Sequence, residues 1–201
     1  MFGSTSNKNY LTKNYTNINF PSINSKFYST TKEYSKRIII KLKKSHYDII
    51  ELHNRPIMVS DFVKKINSKI ILYFHNDPRT MKGAKTVNDR IILLNSVDKI
   101  IFISNWVKRK FFEGLPNFSE NKTQVIYHSI DPITKNTKKN KQIIFVGKLN
   151  ESKGYDLFCK ALFPILDKHT DWKAISIGDE KRFQHYNTHK KHINLGQISH
   201  K

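Results

Sequence analysis

From residue 48 onward the chain alternates two kinds of apolar pattern, and this constrains its fold more than any other feature. Short unbroken apolar runs occupy 48–52, 69–75, 98–103, 124–127, 143–146, 174–177 and 193–195. Between them, apolar residues recur three and four positions apart: Val59, Phe62, Val63 and Ile66; Val87, Ile91 and Leu94; Val107 and Phe111 behind Ser104; Phe158, Ala161, Leu162 and Ile165. A run apolar on both faces reads as a strand covered on both sides, and a stripe at i, i+3, i+4, i+7 reads as an amphipathic helix. Ser104 stands where a helix cap is expected. Strands and helices in alternation predict parallel sheets with helical crossovers, an α/β fold.

Two breaks organise the chain. Residues 1–29 show no periodicity and read as loop, and 31–44 read as a helix with Ile38, Ile39 and Leu42 along its apolar edge. Pro132 and the polar stretch behind it read as a linker over 132–141, separating an N-terminal β/α domain (1–131) from a second one over 142–201. A doubly wound domain needs five or six strands. Only three apolar runs follow residue 142, and the first domain shows no opening strand with a glycine-rich turn. The chain is therefore expected to be an internal piece of a longer protein, with both domains incomplete.

Pro164 falls inside a helical stripe and is expected to kink it. Cys159 is the single cysteine, which excludes an intrachain disulfide framework and fits a reducing compartment. It lies on an apolar helix face and reads as core. The apolar runs are far shorter than the ~20 residues a membrane-spanning helix needs, and no leader pattern opens the sequence.

The formal charge is +20, from 36 basic and 16 acidic residues. Such an excess points to nucleic acid or an anionic membrane surface. The chain is also rich in Asn and Ile, and only six of the basic residues are Arg, the composition an AT-rich coding sequence produces. Base readout leans on Arg, and no recognition helix or aromatic-interleaved basic strand is visible, so nucleic acid is the weaker expectation.

The sharpest chemical feature runs from Gly147 to Gly154. A strand ends at Gly147, the loop carries Lys148 and Lys153, and a helix begins near Gly154. A helix start offers free N–H groups and partial positive charge, the glycines permit close backbone approach, and two lysines add full charges. A diphosphate fits this site. His75, Asn76 and Asp77 close a first-domain strand, and His53, Asn54 and Arg55 close its neighbour, the edge where ligands bind in open parallel sheets. His185, His189 and His192 share a helical spacing but lack a completing carboxylate or cysteine, and read as surface. No Asp-x-Asp pair occurs, and no metal is expected.

Phe145-Val146-Gly147-Lys148-Leu149, followed by Lys153-Gly154 and Ala161, resembles the opening of the donor domain of retaining GT-B glycosyltransferases of family four ("group 1"), with Lys148 where the family more often has Arg. Val125 to Asp131 is similar to that family's Val-Ile-x-Asn-Gly-Val-Asp, with His128 and Ser129 replacing Asn and Gly. The stretch from Asp98 to Lys108, Ile177-Gly178-Asp179, and Ile193 to Ile198 resemble further family segments in the same order, so the resemblance covers 48–201.

The resemblance implies a pair of Rossmann-type parallel-sheet domains closing about 132–141. It implies transfer of a hexosyl group from a nucleotide diphosphate sugar, a co-substrate rather than a cofactor, to a saccharide or lipid-linked acceptor with retention. Gly147, Lys148, Lys153 and Gly154 would hold the diphosphate; Gly178, Gly196 and Gln197 would lie toward the base; His75 would meet the donor sugar. His53, Asn54, Arg55, Asn76 and Asp77 would face the acceptor. Cell-envelope polysaccharide or lipopolysaccharide synthesis, cytoplasmic and peripheral at the inner face of the plasma membrane, is the expected setting. The family's paired glutamates fall beyond Lys201, so weak nucleotide-sugar binding and no transfer are expected of these 201 residues alone. A nucleotide-sugar epimerase on the same fold and a basic nucleic-acid-binding protein remain the alternatives.

Overall fold

The computed structural model describes residues 30–116, 119–130, 132, 138–179 and 189–198, and the backbone pairing of 2–3 with 16–17. Linker residues 133–137 and His185 lie outside the described residues. The chain divides into two compact units, 1–131 and 132–201.

The first unit opens with β1 (Phe2–Gly3) pairing parallel to β2 (Thr16–Asn17), where the sequence reading has only loop. Helix α1 (Thr30–Leu42) follows and buries the predicted Ile38, Ile39 and Leu42. Then come β3 (Ile49–His53), α2 (Val59–Lys65), β4 (Lys69–Phe74), α3 (Val87–Ser96), β5 (Lys99–Phe102), α4 (Asn105–Phe112) and β6 (Thr123–Val125). The strands form one parallel sheet in the order β3-β4-β5-β6. Crossovers between parallel strands are right-handed, so a sheet built steadily in one direction places its crossover helices on one face. That face carries Ile50 and Leu52, Ile70, Leu72 and Phe74, and Ile100 and Phe102, packed against α1 to α4 in a single core.

Local chemistry sets the helix boundaries. The Ser104 side chain accepts from the Val107 amide at 3.2 Å and starts α4, as its sequence position predicts. Thr86 and Asp89 form a reciprocal capping box that starts α3. The α3 face differs from expectation. Leu93 and Leu94 are buried with Arg90, while Val87 is exposed and Ile91 half-buried. Arg90 is 2% exposed and its guanidinium donates to the carbonyls of Ala84, Lys85 and Glu113. A buried cation with three backbone acceptors thus occupies a core position that apolar periodicity cannot reveal. Val63 is exposed as well, because α2 ends at Lys65 and seats only Val59 and Phe62.

The second unit contains β7 (Gln142–Val146), a short 3-10 turn (Glu151–Lys153), α5 (Tyr155–Lys168), β8 (Lys173–Ile177) and β9 (His192–Asn194), with parallel strand order β7-β8-β9. Helix α5 runs through Pro164. It buries Tyr155, Cys159, Leu162 and Leu166 rather than the expected Ala161 and Ile165, which are exposed. Both sets have helical spacing. Tyr155 and Cys159 belong to the core because Leu149 reaches under the helix to meet them.

Only one face of this sheet is covered among the described residues. Ile143, Phe145, Ala174 and Ser176 lie toward α5. On the other face the register aligns Ile144, Ile175 and Ile193 in one row and Val146 with Ile177 in the next. Ile144 is 55%, Val146 72%, Ile193 51% and Leu195 51% exposed.

Candidate functional site

Of the predicted diphosphate and base-side glycines in the second unit, Gly147, Gly178 and Gly196 come together at the carboxyl ends of the strands, while Gly154 stands at the start of α5. The Gly147 amide donates to the Ile177 carbonyl at 2.9 Å, and the Gly178 amide donates to the Gly196 carbonyl at 2.8 Å. Gly147, Gly178 and Gly196 all have positive φ, at 155°, 142° and 63°. The strand ends are therefore joined backbone to backbone into a ledge that carries no Cβ at Gly147, Gly178 or Gly196.

The loop leaving this ledge is anchored from below. Leu149 is fully buried. Asn150 accepts the Ser152 hydroxyl at 2.8 Å, and its carbonyl takes the Lys153 and Tyr155 amides. Gly154, at φ 71°, closes the 3-10 turn and opens α5 without a side-chain cap. Pinning Leu149 and Asn150 turns Lys148 and Lys153 outward, and both are exposed. The loop thus combines exposed positive charge with an uncapped helix start, the chemistry an anion requires.

In the first unit the candidate residues cluster at the carboxyl ends of β3, β4 and β6. His53 and Tyr73 are register partners, and their rings stack at 4.5 Å and 9°. Glu51 precedes His53 by two, and His75 follows Tyr73 by two, so strand alternation puts all four on one side, opposite the core. His53 Nδ1 and His75 Nε2 are 2.9 Å apart; His75 Nδ1 and His128 Nε2 are 3.1 Å apart. His53 Nε2 lies 3.4 Å from Glu51 Oε2, and the Tyr73 hydroxyl donates to Glu51 Oε1 at 3.4 Å. Burial, then the neighbouring His53 and His128, hold His75 below the ordinary histidine pKa. Burial, then Glu51, push the Tyr73 phenol up.

Other predicted acceptor-side residues have local structural partners. Asn54 adopts φ 53°, a conformation asparagine tolerates. Its side chain accepts the His75 amide at 2.8 Å, so it fixes where His75 leaves β4. Asp77 caps the turn at Pro78–Thr80 and is gripped by Arg79, which pulls its carboxyl below the usual range. Asn76 and Arg55 are exposed. Arg55 stands with Glu51 and His53 among the residues lining a groove of about 680 Å³ beside β3, whose wall includes Ile38, Leu42 and Phe62.

Glu51 and His128 were not singled out as functional by sequence. The only sequence signal for them is histidine and carboxylate at strand ends; their meeting depends on strand register. Of the three histidines at helical spacing, His185 lies outside the described residues and the other two are in different surroundings. His192 is in β9 and contacts the Ser176 hydroxyl at 2.6 Å, while His189 pairs with Asp167. Among the described residues no group of three or more His, Cys, Asp or Glu has a metal-holding arrangement, and no helix is long and apolar enough to cross a membrane.

No family model matches the chain. It is similar to YtcC of Bacillus subtilis (strain 168), which carries a glycosyltransferase description, at 29% identity over 165 residues, or 72% of this chain and 40% of that protein. It is 25% identical over 167 residues to spore coat protein SA of the same organism, covering 73% of this chain and 44% of that one. The chain thus spans less than half the length of these curated relatives. Two crystal structures of TarM superpose with TM-scores of 0.58 and 0.55, each at 12% identity over 80% of this chain and 36% of TarM. One is an S. aureus TarM variant in complex with fondaparinux, alpha-GlcNAc-glycerol and UDP. At that identity the likeness establishes fold: an α/β, GT-B-like pair of Rossmann-type parallel-sheet units.

Proposed function

We propose that this chain carries the acceptor-side unit and the first part of the donor unit of a glycosyltransferase. It would move a hexosyl group from a nucleotide diphosphate sugar to an acceptor hydroxyl with retention of configuration. The observation that carries the reading is the backbone ledge of Gly147, Gly178 and Gly196 beside a loop that turns out Lys148 and Lys153. The description of YtcC as a glycosyltransferase supports it.

The difficult moment of such a reaction is departure of the diphosphate as the sugar becomes oxocarbenium-like. Lys148, Lys153 and the α5 start at Gly154 supply positive charge where the phosphate charge grows. The proposal assigns that neutralisation to the chain rather than to a metal. Gly178, Gly196 and Gln197 take the nucleotide side, and His75 meets the donor sugar. His53, Asn54, Arg55, Asn76 and Asp77 serve the acceptor. A groove apolar along its length and polar at Glu51, His53 and Arg55 suits a lipid-linked saccharide. The +20 charge suits an anionic membrane face, as in envelope polysaccharide or lipopolysaccharide synthesis on the cytoplasmic side.

UDP is the first nucleotide to test, since a TarM structure holds it. Thermal unfolding should show stabilisation by UDP or GDP, none by uridine, and loss of the effect in Lys153→Ala. No shift with either diphosphate, or an undiminished shift in Lys153→Ala, overturns the assignment. Equal sedimentation with neutral and anionic vesicles removes the membrane part alone.

A further inference from the structure

The three imidazoles at the strand ends of the first unit have only one favourable hydrogen-bond polarity when neutral. A neutral imidazole has one N–H and one lone pair, while a carboxylate only accepts. Glu51 Oε2 faces His53 Nε2, so His53 donates there and presents a lone pair at Nδ1. His75 Nε2 lies 2.9 Å from that lone pair and donates to it, leaving its own Nδ1 as acceptor. His128 then donates from Nε2 to His75 Nδ1. The opposite polarity would set the His53 lone pair against a carboxylate. Every N–H therefore points toward Glu51, and the string ends in a lone pair on His128 Nδ1, to which no described residue donates.

We propose that Glu51, His53 and His75 form a directed proton relay whose working end is His128 Nδ1, the proton acceptor for the hydroxyl of an incoming acceptor substrate. The use of that nitrogen by an acceptor hydroxyl rests on the glycosyl-transfer reading; the polarity of the string does not. As the acceptor oxygen bonds the anomeric carbon, its O–H bond breaks and the proton passes to His128 Nδ1. The bond from the anomeric carbon to the phosphate oxygen breaks, and its electron pair leaves with the diphosphate. His128 then gives its Nε2 proton to His75 Nδ1, and His75 gives its Nε2 proton to His53 Nδ1. The charge comes to rest on His53, beside the Glu51 carboxylate. His75 passes the charge without keeping it, because burial and two flanking imidazoles disfavour its cationic form. The titratable groups around the string are Glu51 and His53 on β3, Tyr73 and His75 on β4, and His128 beyond β6.

The test is long-range 1H–15N correlation on the 15N-labelled 201-residue protein, above the pH at which the rings protonate. The expected result is the Nε2–H tautomer for His53, His75 and His128 alike. An Nδ1–H tautomer in any of the three overturns the relay. Glu51→Ala, at an exposed position, removes the carboxylate that sets the polarity, and Nδ1–H forms should then appear along the string. Unchanged tautomers in that variant also overturn it. UDP stabilisation reports on the other unit, so its failure removes the transfer reading while the tautomers still decide the relay.

Discussion

Gly178 and Gly147 meet through backbone alone: a Cβ on Gly178 would stand 1.8 Å from the Gly147 carbonyl oxygen. No rotamer relieves such a clash, because both partners are main chain. Gly178→Ala should destabilise the second unit by about 2 kcal/mol or more and abolish stabilisation by UDP. Urea unfolding followed by Trp172 emission in a Trp106→Phe background measures the first, and a thermal shift the second. A Gly178→Ala protein with unchanged midpoint and intact UDP response would contradict the ledge.

Lys148 offers a point charge where an arginine would offer a planar fork. Lys148→Arg should tighten UDP roughly threefold, in keeping with the two-pronged grip of guanidinium on phosphate. Calorimetric titration checks this, and weaker binding by the arginine variant would place Lys148 away from the phosphates.

His75 and His192 are both held below the ordinary histidine value of 6.5. For His75 the causes are burial, then His53 and His128; for His192 they are burial, then His189. A depressed histidine resists protonation in the folded state while the unfolded chain takes up the proton freely. Stability is therefore greatest above 6.5 and falls as pH drops from there through the lower folded-state value. Urea midpoints of both units should decrease between about pH 7.5 and about pH 5, and the loss should shrink in His75→Gln/His192→Gln. An acid response identical in that double variant would rule these two groups out as its source.

Arg90 ties α3 to the carbonyls of Ala84, Lys85 and Glu113 from inside the core. Arg90→Leu removes a buried cation but orphans these acceptors, and should cost about 3 kcal/mol, read as a lower urea midpoint for the first unit. Arg90→Lys should recover only part, since one ammonium cannot reach three separated carbonyls.

Much of this architecture is legible because short apolar runs alternate with amphipathic stripes, and Ser104 writes a cap. The expected cover on both faces is not met, since among the described residues helices cover one face of each sheet. Helix orientation is less so. Phe158-Ala161-Leu162-Ile165 and Tyr155-Cys159-Leu162-Leu166 are both good helical stripes, and Leu149, distant in pattern from either, selects the second. The loop from Gly147 to Gly154 is readable because its glycines and lysines are contiguous. The string from Glu51 to His128 is not, since its members come from three strands. Only the pairing of His53 with Tyr73, and the way the chain leaves β6, brings them into hydrogen-bonding distance.

The rows of Ile144, Ile175 and Ile193, and of Val146 and Ile177, which no described residue of the second unit covers, give that sheet an adhesive side. A formal charge of +20 on every molecule opposes the meeting of two such sides. Colloidal behaviour should therefore follow ionic strength: dispersed at low salt, clustering as screening lets the isoleucine-rich surfaces meet.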